Sequence, residues 1–209
     1  KSVNTDPTNY SAHRFLADSY SVRPRHEIAR VSELLQSQLL QPTNITPIQP
    51  RLAESNLFLI SSKSPRGMSF NEFNPIFNRN RVALQASGLL GENDTVGGEA
   101  VVSGIYDKFS FSGGYNYFDT DGWRDNANQK DKIANLFAQY EFNYKTSIQA
   151  EYRYRDTEFG DIRLKFNDSS IFPDQTFKIK TDTFRLGARH SFSPSSILLA
   201  SATYQDGEF

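Results

Sequence analysis

The side chains able to do chemistry here are carboxylates, arginines and three histidines. Asp119-Thr120-Asp121-Gly122, with Asp125 nearby, gathers the oxygen ligands that calcium takes. The closing Glu of a calcium loop is missing, so the stretch reads as a polar loop. Asp156, Glu158 and Asp161 open another such loop. Paired carboxylates also hydrolyse glycosides, but nothing in the spacing sets two of them across a cleft. His13, His26 and His190 share no metal-ligand spacing. No nucleophile elbow and no phosphate loop occurs. The absence of Cys excludes disulfides, thiolate zinc sites and cysteine nucleophiles. The chain therefore reads as a non-enzyme, with no catalytic, cofactor or metal residue assigned.

One group of charges is ordered differently. Glu99, Lys108, Glu141, Glu151, Arg153, Arg155, Arg185 and Arg189 share one parity of alternating segments. Such a set is either a charged wall that selects or guides a solute, or ordinary polarity with cross-strand ion pairs. The elements that carry it decide its meaning.

Residues 80–205 alternate apolar and polar side chains with a two-residue period, segment after segment. The fifth segment is the cleanest. Ile148, Ala150, Tyr152 and Tyr154 oppose Ser147, Gln149, Glu151, Arg153 and Arg155. Seven such strands are expected. Their connections alternate long and short. The short ones centre on Asp107, on Tyr144-Lys145-Thr146 and on Ser193-Pro194-Ser195. The long ones are expected over 92–97, 118–131 and 156–180.

Tight turns at one end and long loops at the other are the pattern of a transmembrane β-barrel. Strands of roughly 9–11 residues suit a tilted crossing of the bilayer. Alternation also explains the composition. Only 37% of residues are hydrophobic and no run approaches a membrane helix, yet the chain holds 17 Phe, 10 Tyr and one Trp. Alternating strands dilute apolar residues by half. The expected lipid-facing residues include Phe111, Leu136, Ala150, Tyr152 and Leu186. The charged set above faces the lumen. Lys178 and Lys180 share the lipid-facing parity but stand beyond the hydrocarbon. Seven strands are odd in number and too few to close, so the chain is expected to be a piece of a longer protein. The fold class expected for 79–209 is thus mainly β: the N-terminal strands of an antiparallel up-and-down transmembrane barrel.

Two zones precede it. Residues 1–42 read as a short helical hairpin. Asp6-Pro7 is a helix start with Asp as N-cap, and Pro24 opens a second helix that Pro42 ends. Residues 43–78 are broken by Pro47, Pro50 and Pro65 and read as an irregular linker or plug-like segment.

The hairpin resembles a tetratricopeptide repeat. Leu16-Ala17-Asp18-Ser19-Tyr20 supplies the first-helix pattern, Ala29 follows nine residues later, and Pro42 ends the unit. Pro24 replaces the usual turn glycine and Glu33 stands at an aromatic position. With the Phe73-Asn74-Pro75 and Phe77-Asn78-Arg79-Asn80-Arg81 stretch, the chain resembles tetratricopeptide-repeat outer-membrane proteins of Gram-negative bacteria. Its architecture is similar to the polysaccharide-export barrels. The resemblance implies an outer-membrane location, a periplasmic N-terminal region able to contact a periplasmic protein, and lipid as the principal partner.

The function expected is a passage or assembly component of the outer membrane, with polymer export the specific form. A ligand-gated receptor or porin-type barrel is the alternative within transport. A soluble all-β binding or structural module is the alternative outside it. The net charge of −1 gives no pull toward nucleic acid. One observation separates membrane and soluble forms. Phe111, Leu136, Ala150, Tyr152 and Leu186 are exposed in the first and buried under a second layer in the other.

Overall fold

The computed structural model describes residues 2–9, 12–13, 15–16, 19, 36, 38–41, 43, 80–162 and 172–208. Its body is one sheet of seven antiparallel strands in the order β1-β2-β3-β4-β5-β6-β7. The strands are β1 (Arg81–Leu90), β2 (Val96–Tyr106), β3 (Phe109–Thr120), β4 (Gln129–Asn143), β5 (Thr146–Phe159), β6 (Phe177–Ser193) and β7 (Ser196–Glu208). Every strand pairs with its sequence neighbours, so β1 and β7 form the two edges.

The connections follow the alternation read from the sequence. Short turns at Asp107-Lys108, Tyr144-Lys145 and Pro194-Ser195 lie at one end. Longer connections over 91–95, 121–128 and 160–176 lie at the other. Asp107, Asn93 and Asp94 adopt left-handed backbone (φ 50, 55 and 51°), which Asn and Asp tolerate better than other side-chain-bearing residues. The register slips between Glu141 and Asn143 and between Ser191 and Ser193, next to two short turns. Such bulges raise the local twist where a strand must reverse.

Three sequence expectations need correction. The strands are longer than the apolar pattern suggests. The ladder between β3 and β4 continues to Thr120↔Gln129, and that between β5 and β6 to Phe159↔Phe177. Both ends of 118–131 and of 156–180 are therefore strand, which leaves connections over 121–128 and 160–176. Backbone pairing outlasts the apolar stripe because charged partners replace it on the same face. Lys108, read as a strand residue, falls in the turn instead, exposed. The N-terminal helix start is displaced too. Helix α1 (Ser2–Thr5) stops before Asp6. Asp6 Oδ1 accepts from Thr8 N and Thr8 Oγ1 in a local turn (3.2 and 2.8 Å). The cap is Asn9, whose Oδ1 accepts from Ala12 N at 3.0 Å while its carbonyl accepts from His13 N. Both residues are good caps, and the side chain nearer the helical run takes the role. The turn of the expected hairpin, most of the 1–42 zone and nearly all of 43–78 lie outside the described residues.

Burial is inverted relative to a protein folded around an oily core. On β4, Asn135 is fully buried while its neighbour Leu136 is 61% exposed. On β6, Arg185 is 7% exposed and Leu186 64%. The buried apolar residues Val101, Ile105, Ile133 and Phe137 lie on the same parity as the buried polar ones.

Candidate functional site

The sheet has two chemically opposite faces, and the candidate site is the pair of them. The polar face is built from every second residue of each strand. Glu151 on β5 stands directly opposite Arg185 on β6 and Asn135↔Arg153 is the next pair along β4 and β5. Glu151 Oε1 accepts from Arg185 Nη2 and from Asn135 Nδ2 at 2.7 Å. Arg153 Nη2 lies 3.6 Å from the same oxygen. One carboxylate thus sits between two guanidiniums, all of them buried. Burial makes such charge pairs costly to form and costlier to break.

Of the eight charges expected on this face, the structure brings three together: Glu151, Arg153 and Arg185. Arg155 is buried beside them, with Nε donating to Thr157 Oγ1 at 3.2 Å. Arg189 is buried nearer the short turns, Nη1 donating to the Tyr144 carbonyl at 3.4 Å. Glu141 is half-buried in the same ladder row, opposite Ser147. Glu99 is half-buried on β2, away from the cluster. Lys108 is off the face, its Nζ donating to the Phe142 carbonyl at 3.0 Å.

A part of the N-terminal zone lies on this face as well. Gln139 Nε2 donates to the Gln41 carbonyl at 2.7 Å. Thr43 Oγ1 donates to Glu141 Oε2 at 2.8 Å. Leu39, 4% exposed, packs over Gly187. Nothing in the local sequence signals these contacts, because the partners are 98 or more residues apart.

The apolar face carries the five residues expected to meet lipid. Leu136, Ala150 and Leu186 are exposed; Phe111 and Tyr152 are half-buried by sheet neighbours. All five line one shallow groove of about 590 Å³. Tyr152 tilts against Phe184 at a ring distance of 4.7 Å, and Tyr140 meets Phe142 edge-on at 5.1 Å. The register stacks these residues in rows. One row runs Val102, Gly113, Leu136, Tyr152, Phe184, Tyr204 across β2 to β7.

The apolar band ends abruptly toward the long connections. Lys132, Asp156, Lys180 and Glu208 occupy a single row across β4 to β7, signs alternating. The adjacent row is Asp119, Lys130, Glu158 and Lys178. Lys130 Nζ lies 3.0 Å from Asp119 Oδ2 and Lys178 Nζ 3.7 Å from Glu158 Oε2. On β6 the band runs from Phe184 to Phe192, about 26 Å at ~3.3 Å per residue.

The long-connection end is tied together by Asp161, which the sequence assigned to an ordinary polar loop. It is 2% exposed. Arg124 Nη2 lies 3.4 Å from Asp161 Oδ2 and donates to the Asp161 carbonyl at 2.7 Å. Asn126 Nδ2 donates to the carbonyls of Phe172 (2.6 Å) and Gln175 (2.9 Å). The β3–β4 and β5–β6 connections thus form one unit. Among the described residues no carboxylate and histidine cluster could hold a metal ion. His13 Nε2 contacts the Pro7 carbonyl (2.9 Å) and His190 Nδ1 contacts Thr146 Oγ1 (2.9 Å). His26 lies outside the described residues.

No described helix is long and apolar enough to cross a membrane, which bears on helices alone. The chain matches no protein-family model, no curated protein and no solved structure.

Proposed function

We propose that the seven strands form a wall section of a transmembrane β-barrel in a bacterial outer membrane, serving as a passage component, with polymer export as its specific form. The observation that carries this reading is the inverted burial: Leu136 and Leu186 exposed, Asn135 and Arg185 buried. A face of this kind loses nothing by contact with hydrocarbon, whereas in water it would be a large unsatisfied patch. The charged rows at Lys132–Glu208 then mark the headgroup boundary. The aromatic residues Tyr106, Phe109 and Tyr140 form a girdle at the other edge. Short turns face the periplasm, and the tetratricopeptide-like region with them, available to a periplasmic protein partner. Unpaired edges at β1 and β7 are too costly in lipid to stay open, so further strands complete the barrel.

A gated, receptor-type barrel is a second reading. Thr43, at the start of the plug-like segment, bonds to Glu141 on the polar face, which is where a plug would sit. The soluble module has less support, because its apolar face should be buried, whereas Leu136, Ala150 and Leu186 are exposed and Phe111 and Tyr152 only half-buried.

The single tryptophan makes the test clean. In a Trp123→Phe background, Leu136→Trp in brominated-lipid vesicles should be strongly quenched and Asn135→Trp should not. Equal quenching by aqueous acrylamide at both positions would overturn the membrane reading. Passage itself is read as conductance across a planar bilayer.

A further inference from the structure

We propose that β5 and β6 carry a basic track on the polar face, and that its ligand is a polymer bearing carboxylate or phosphate groups. Passage of that polymer rests on the barrel reading above; the sign and placement of the charges do not.

The charges of the polar face are sorted by strand. On β5 and β6 this parity holds four cations, Arg153, Arg155, Arg185 and Arg189, and one carboxylate, Glu151. On β2, β3 and β4 it holds Glu99, Asp131 and Glu141 and no cation. The β7 residues of the same parity are uncharged. Glu151 is shared between Arg185 and Arg153. It neutralises one guanidinium and leaves positive charge in excess on these two strands.

The cations are spread along the strands rather than gathered at one height. Arg189 stands opposite Ser147 and Arg185 opposite Glu151, and Arg153 and Arg155 follow on β5. Successive steps along the ladder come to about 13, 7 and 7 Å at ~3.3 Å per residue. The track is therefore about 26 Å long, matching the apolar band on the other face. One small anion needs a single seat. A row of seats favours a chain that carries its charges in series.

The side chains fit that ligand. All four are Arg, whose planar fork binds carboxylate and phosphate oxygens in pairs. Among the described residues Arg185 Nε and Arg189 Nε have no hydrogen-bond partner, and a buried donor left unpaired is costly. The oxygens of an anion satisfy such donors. Thr183, opposite Arg153 on the same face, is only half-buried, so a probe can be placed within the track. Ser87, opposite Glu99, offers the matching position on the acidic section.

The absence of native cysteine allows a direct test in the whole chain. Thr183→Cys and Ser87→Cys, made separately, are reacted in vesicles with an anionic and a cationic methanethiosulfonate. The anionic-to-cationic rate ratio should be several-fold higher at position 183 than at position 87, and Arg155→Gln should lower it at 183. Polyuronate or polyphosphate should reduce bilayer conductance several-fold where neutral dextran does not, and the stronger of the two identifies the anionic group. Equal ratios at the two positions, a preference for the cationic reagent at 183, or no reaction there at all would overturn the track. Equal block by dextran and polyanion would overturn the ligand class. If no form conducts while the rate ratio holds, the track stands as an anion-binding wall and the passage reading falls.

Discussion

Glu151 and Arg185 face each other across the β5–β6 ladder, side chain to side chain, both buried on the polar face. Their environment makes removal of one partner worse than removal of both. Glu151→Ala is expected to cost about 3–5 kcal/mol, because Arg185 stays buried without its carboxylate. The double change Glu151→Leu with Arg185→Met is expected to recover part of that loss, because Arg153 stays buried beside the position the carboxylate held. Urea midpoints in lipid vesicles compare the two. A single variant as stable as the parent would mean that the face is wet.

Leu136→Arg and Leu186→Arg separate the two solvents that could meet the apolar face. In water, a side chain already exposed by 61 or 64% accepts the change with little loss. At the middle of a bilayer, Arg costs roughly 2–4 kcal/mol. Reduced insertion into vesicles and a lowered urea midpoint are the expected results. Unchanged behaviour of both variants would argue for an aqueous face.

The charged rows predict a sharp boundary. With Ala150→Cys and Asp156→Cys placed separately, a water-soluble maleimide should label residue 156 rapidly and residue 150 hardly at all in vesicles. Both should react once the protein is unfolded in urea. Equal labelling of the two in vesicles would remove the boundary from between them.

Arg124→Ala should loosen the long-connection end without touching the strands. Its guanidinium holds Asp161 by a carboxylate contact and a carbonyl bond. Chymotrypsin is expected to cut beside Trp123 and Phe172 faster than in the parent, while the strand content read by circular dichroism holds. Unchanged cleavage would mean that Asn126 and its two carbonyl partners suffice.

The strands were legible in the sequence because a two-residue period survives any tertiary context. Ile148 to Tyr154 against Ser147 to Arg155 is readable without knowing a single contact. The alternation of short and long connections was legible for the same reason. Strand ends were not. At Lys130, Lys132, Asp156 and Glu158 the apolar signal stops, yet pairing continues, because opposite charges face each other across the ladder. Periodicity in hydropathy reports the solvent on one face and not the extent of the backbone ladder. The Glu151, Arg153 and Arg185 cluster was readable as shared parity, though its close grouping depends on register. The contacts of Leu39, Gln41 and Thr43 were invisible, since they join positions far apart through a glycine, an amide and a hydroxyl that carry no local pattern.

The order β1 to β7, with each strand beside its sequence neighbours, also bears on how the sheet comes into being. No strand has to wait for a distant one. Hairpins at Asp107-Lys108, Tyr144-Lys145 and Pro194-Ser195 close across the smallest loops and therefore at the lowest entropic cost. Zipping them together across the longer connections adds one local step at a time. Contacts close in sequence favour speed, and a chain that shows an apolar face to water has reason to be quick. Construction can thus proceed as a row of hairpins laid side by side, each finished one offering an edge for the next.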